Sequence, residues 1–266
     1  MTARRATLAG LLAAVLLAGC SGTSEPPAAG QPASPVPAAA SEPAPTVREQ
    51  GSYEDPEPRL RPVALDGVRV RMRPGTRQVV TVNHTGGHTA RVVYWERDGR
   101  RWERRMTARD GRIGYGGLVL PGRREQGTGT TPLGTFGIPF AFGRHRDRPA
   151  WQLSYRRIRQ GDFWVQDNGS RFYNRYRNQR QGGFRWWLPP GAENSSERLL
   201  DFGSQYEWAL VMDFNWDQVR RRGSGIFLHV NGDGATAGCV SAPRPFVRRL
   251  MADLEQDAVP VVAVGR

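Results

Sequence analysis

At 266 residues, with 38% apolar and 9% aromatic side chains, the chain can bury a substantial core. Ten of its 20 prolines fall between Pro26 and Pro62, which sets a low-complexity lead apart from one globular domain. Two cysteines, Cys20 and Cys239, exclude a disulfide scaffold and a CxxC zinc site. Past the leader no apolar run reaches the roughly 18 residues that span a bilayer, which excludes a protein embedded through helices.

Residues 1–20 read as a secretory signal: Arg4 and Arg5 form the charged start and Ala6 to Leu17 a short apolar stretch. The stretch ends in Leu17-Ala18-Gly19-Cys20, which resembles a bacterial lipobox and makes Cys20 the expected lipidation site. The mature chain is then expected outside the cytoplasmic membrane, anchored to it by lipid and facing the cell wall. Residues 21–61 are rich in Pro, Ala, Ser and Glu. With almost no long aliphatic side chains, they are expected to form a disordered linker of up to roughly 120 Å.

The basic side chains are all arginine, 38 of them. Four arginines and six acids precede residue 61, a balance of −2, so with a formal net charge of +13 the rest of the chain carries +15. Such a field commonly marks a nucleic-acid partner, but an exported protein does not meet one. An anionic envelope polymer fits better, and a solvated arginine-rich surface accounts for the charge equally well.

Within residues 62–266 the predicted strands are Val68–Met72, Gln78–Val82, Ala90–Glu96, Trp102–Met106, Thr135–Phe142, Phe163–Gln166, Trp208–Phe214, Ile226–Val230 and Val261–Val264. One helix is predicted near the end: Ser241 as N-cap, with Phe246, Val247, Leu250, Met251 and Leu254 on one face. The class is mostly β with one main C-terminal helix.

The chemistry converges on Cys239. With Cys20 lipidated it is the remaining thiol in a disulfide-permissive compartment, beside the permissive Gly238 and just ahead of the predicted helix. A helix N-terminus would favour its thiolate. His229 ends the strand Ile226–Val230, and the loop from Asn231 to Ala237 can double back, joining imidazole and thiol as base and nucleophile. Asn231, Asp233 or a backbone carbonyl could orient the imidazole. His84 and His88 are four apart, but they flank a turn sequence with no third ligand type, so no metal site is read there. The stretch from Arg171 to Arg177 and on to Trp186-Trp187 mixes arginine with aromatics, as a carbohydrate groove or simple guanidinium–aromatic packing would.

His229, a Gly-rich loop and Thr236-Ala237-Gly238-Cys239-Val240-Ser241 together resemble the active-site signature of the L,D-transpeptidases with a YkuD-type catalytic domain. The stretch Gly127 to Phe136, the segment Trp164 to Asn174, and Asp213-Phe214-Asn215 resemble the same domain. Val230 stands where the family usually has Gly, Ala237 where many members carry His, and Ser241 where many carry Arg. The resemblance implies a YkuD-like fold and a two-step acyl transfer on peptidoglycan stem peptides. Cys239 would attack the amide between diaminopimelate and terminal D-Ala, and His229 would move the proton. The N–H groups of Gly238 and Cys239 would hold the oxyanion, and Tyr173, Asn174 and Ser241 would contact substrate. An amine acceptor gives a 3→3 cross-link and water a carboxypeptidase; no cofactor, metal or nucleic acid is implied. A papain-like enzyme has Cys before His, a sortase has a different loop spacing, and a non-catalytic wall-binding lipoprotein would merely retain the fold.

Overall fold

A ten-stranded sheet organises the described residues, 61–266, of the computed structural model. The leader, Cys20 and the linker up to residue 60 lie outside them. From one edge the sheet runs Tyr155–Arg157, Ala141–Gly143, Trp208–Val211, Phe227–Val230, Val240–Ala242, Arg101–Arg112, Thr89–Asp98, Gln78–Gly86, Val261–Gly265 and Gly134–Gly137. The class is mostly β, as the sequence predicts, with one α-helix among the described residues, Arg244–Asp253.

The predicted strand Thr135–Phe142 is two strands, Gly134–Gly137 and Ala141–Gly143, which lie towards opposite ends of the sheet. Pro139 between them has no N–H to give to a ladder, and the Ile138 N–H turns instead to the Pro260 carbonyl at 3.2 Å. So short a link spans at most ~14 Å. The sheet therefore curls until its two ends come close.

Period-two alternation sorts the side chains onto two faces. On one, Leu210, Leu228, Val230, Val240 and Ala242 meet Phe246, Val247, Leu250 and Met251 of the helix. On the other, Phe142, Ala209, Val211 and Phe227 pack with Trp164, Tyr206 and Cys239. Each large side chain buried this way contributes about 1.5–3 kcal/mol, so helix and sheet fix each other firmly. The second face carries the polar residues of the site.

The helix start differs from the expectation. Pro243 is its N-cap and Arg244 its first residue, while Ser241 lies in the strand Val240–Ala242. The parallel partner Phe227–Val230 takes up the backbone of Val240–Ala242 and extends the sheet past the thiol. Cys239 thus precedes a strand, and the helix N-terminus does not reach it.

A smaller sheet pairs Asp162–Trp164 with Tyr176–Asn178 on one side and Glu197–Arg198 on the other. It sits over the second face and brings Glu197 towards Cys239.

Candidate active site

The parallel ladder sets the two signature residues on one face. Leu228 pairs with Val240 and His229 with Ser241, which leaves Cys239 alongside Phe227. The Phe227 N–H donates to Cys239 Sγ at 3.4 Å, and the thiol donates to the Gly225 carbonyl at 3.3 Å. Cys239 and His229 both face a cavity of about 690 Å³.

The turn before Cys239 is held by hydroxyls. Thr131, fully buried, accepts from the Gly114 N–H at 2.8 Å and donates to the Gly238 carbonyl at 2.9 Å. Thr236 donates to the Cys239 carbonyl at 2.7 Å and accepts from the Gly238 N–H at 3.2 Å. The Gly127–Phe136 stretch therefore acts by fixing the turn that presents the thiol. Gly238 has a φ of 126°, and a Cβ there would stand 2.8 Å from Arg124 Nη2 and 2.9 Å from the Thr130 carbonyl. Only glycine fits both the dihedral and the space. Its N–H, expected free for an oxyanion, is already engaged by Thr236.

His229 Nδ1 lies 2.8 Å from the Val230 carbonyl. A carbonyl can only accept, so Nδ1 carries the proton and Nε2 keeps the lone pair. A backbone carbonyl is thus the orienting group. Asn231 instead donates to the Asp110 carbonyl and accepts from the Ser241 hydroxyl, and Asp233 lies on the cavity rim. Burial pulls the His229 pKa down to about 4, so the imidazole is neutral at ordinary pH.

Burial also pushes the Cys239 thiol up to about 12, with the Glu197 charge raising it further and Arg124 opposing. The preformed thiolate expected from a helix N-terminus is therefore replaced by a neutral thiol, donated to the Gly225 carbonyl, in a cavity that a neutral imidazole also lines. Such a pair supports acyl transfer with proton removal coupled to attack.

The opposite wall holds residues that sequence reasoning did not single out. Glu197 accepts from the Tyr206 hydroxyl and from Gln166 Nε2. Desolvation lifts its carboxyl to about 7. The Tyr206 ring meets the His229 ring edge-on at 5.4 Å. Arg124 also lines the cavity and is only 5% exposed.

A model of the L,D-transpeptidase catalytic domain, YkuD, matches residues 77–262. The chain belongs to the L,D-transpeptidase family. No curated protein matches it. Among solved structures, that of Bdellovibrio bacteriovorus Bd1075 is similar over 71% of this chain at 15% identity, with a TM-score of 0.36. The chain spans about half of that one, 48%.

Three other residues that the L,D-transpeptidase signature suggested for substrate contact sit beneath the cavity. Tyr173, fully buried, donates its hydroxyl to Gln126 Oε1 at 2.7 Å. Asn174 accepts from Trp164 Nε1 and the Gly225 N–H, and donates to the carbonyls of Phe214 and Asn215. Ser241 is fully buried and donates to Asn231 Oδ1. Hydrogen bonding ties these side chains into the framework, and none of the three lines the cavity. Arg171 and Arg177 lie over the Phe172 ring, and Arg175 over Trp216, so the Arg–aromatic stretch packs on itself. Trp186 alone of its tryptophan pair reaches the cavity wall.

Proposed function

We propose that the protein is a peptidoglycan L,D-transpeptidase with Cys239 as nucleophile. Membership of the family supports action on stem peptides. The observation that carries the assignment of roles is the shared cavity, which Cys239 and His229 both line while hydrogen bonding at Nδ1 leaves the His229 Nε2 lone pair free. As Sγ bonds to the diaminopimelate carbonyl carbon, the thiol proton passes to His229. It then moves to the leaving amine as the amide C–N bond breaks, which releases D-Ala and leaves a thioester. The side-chain amine of a second stem attacks that thioester, re-forms an amide and frees the thiol, giving a 3→3 cross-link. The acyl group passes directly between amides, so the reaction draws on no external energy source.

Export and lipid attachment at Cys20 complete the proposal and would hold the domain against its polymeric substrate. Incubating the full chain with purified tetrapeptide muropeptides and analysing products by mass spectrometry tests it. Dimers joined between two diaminopimelates are the expected product. Tripeptides without dimers would instead mark an L,D-carboxypeptidase, and unchanged substrate a wall-binding protein.

A further inference from the structure

Arg124 is a buried guanidinium with no carboxylate partner among the described residues. Its Nε donates to the Thr130 carbonyl at 2.8 Å and its Nη1 to the Arg222 carbonyl at 3.2 Å. The Phe214 ring lies 5.4 Å away on its flank. Two neutral carbonyls and a ring fix the fork in place without cancelling its charge. Burial lowers its pKa, and the groups that oppose this are Cys239, Tyr173 and Tyr115, with no Asp or Glu among them. An arginine nonetheless stays protonated, so the protein holds a desolvated cation in its cavity wall.

The direction of the free end is informative. Nη2 has no acceptor among the described residues, and it lies within 2.8 Å of where a Gly238 Cβ would be. It is thus directed at the residue preceding the nucleophile. Elsewhere in the domain, arginines such as Arg91, Arg185 and Arg244 sit at the surface on Asp66, Asp167 and Glu207. Arg124 is the reverse: buried, rigid and unpaired. A desolvated cation without a counter-ion is costly, and a fixed anion entering the cavity would repay that cost.

We infer that Arg124 binds the terminal carboxylate of the stem peptide, making the site specific for amides one residue from a free C-terminus. This deepens the proposed function, on which it rests, by naming the substrate end that the site reads. The carboxylate of a leaving D-Ala lies three bonds from the scissile carbonyl carbon. Arg124 beside Gly238 and the scissile carbon at Cys239 match that short spacing. A charge-assisted bond of this kind also rejects a neutral terminus, because the cation then stays unpaired.

The test uses the full chain carrying Cys239→Ala, titrated by calorimetry with a stem tetrapeptide ending in a free D-Ala carboxylate and with its carboxamide. The free acid is expected to bind roughly 100-fold more tightly. Adding Arg124→Gln should bring the two to within a few-fold, and Arg124→Lys should keep part of the preference. Equal binding of acid and amide, or a preference that survives Arg124→Gln, would overturn the inference. The acid–amide comparison on the chain with Arg124 intact decides the matter even if the Gln variant fails to fold. Turnover separates the two claims. Arg124-dependent selectivity without product leaves this site standing and removes the transpeptidase reading. Product formed equally from acid and amide does the opposite.

Discussion

Tyr206 donates its hydroxyl to Glu197 on the wall that faces Cys239, so a desolvated carboxyl and the thiol share one cavity. Desolvation lifts Glu197 to about 7, and its negative charge raises the Cys239 pKa. Above pH 7 Glu197 ionises and holds the thiol in its protonated form. Glu197→Gln removes that charge, so Cys239 should be alkylated by iodoacetamide faster than in the wild type above pH 7. Below about pH 6 the two rates should converge. Equal rates across the whole range would show that the two groups are not coupled. The raised Glu197 pKa also bears on folding: the folded state keeps the proton between about 4.5 and 7 while the unfolded chain loses it. Stability from this group therefore falls as pH rises through that window.

His229 gives a second pH signature of opposite sign. Its pKa is pulled down to about 4 by burial, below the ordinary value of 6.5. The unfolded chain thus binds the extra proton between pH 6.5 and 4, and the stability this group provides is lost as pH falls through that range. Because the imidazole proposed as base is neutral above about pH 4, the acid limb of acylation kcat/KM should lie near 4. An acid limb at 6.5 would contradict the environment described for His229. His229→Gln should slow acylation by about 10²–10⁴-fold near neutrality. The deficit should shrink at high pH, where hydroxide removes the thiol proton.

Asn174 ties the framework to the thiol. Its side chain makes four hydrogen bonds, one of them from the Gly225 N–H, and the Gly225 carbonyl in turn accepts from Cys239 Sγ. Its φ is 57°, a region that Asn tolerates better than most residues. Asn174→Ala leaves several buried groups unpaired at ~1–3 kcal/mol each. Thermal or denaturant unfolding should show a loss of at least about 3 kcal/mol. A loss under ~1 kcal/mol would mean that water or local rearrangement satisfies those groups.

The sequence made the proposed nucleophile and base legible because their types are rare: two cysteines and four histidines across the whole chain. A fixed loop between them could then be read as a pair. Arg124 and Glu197 were not legible, since each is one of many residues of its kind, 38 basic and 25 acidic. What sets them apart is burial, which arises from strands distant in the chain. The strand Val240–Ala242 was missed for a related reason. Three residues carry no periodicity, and its parallel partner Phe227–Val230, earlier in the chain, decides its conformation. Ser241 therefore pairs in the sheet even though Ser ahead of Pro243 reads locally as a helix cap. Tyr173 and Asn174 were picked out by family likeness, which marks positions without distinguishing a framework role from a substrate contact.

The anchor makes a prediction independent of the active site. Cys20→Ala should move the chain from the membrane fraction to the soluble fraction. Its melting temperature should stay that of the wild type, since the core among the described residues is built from residue 65 onward. Persistence in membranes at high salt would remove the lipid anchor from the account.

The most direct measurement is intact-protein mass spectrometry of the full chain during turnover of a stem tetrapeptide, followed by proteolytic mapping of the acylated residue. The account predicts a transient adduct with the mass of the tripeptide acyl group, mapped to Cys239. It should be absent in Cys239→Ala and accumulate when no amine acceptor is supplied. An adduct on another residue, or product formation by Cys239→Ala at the wild-type rate, would contradict it.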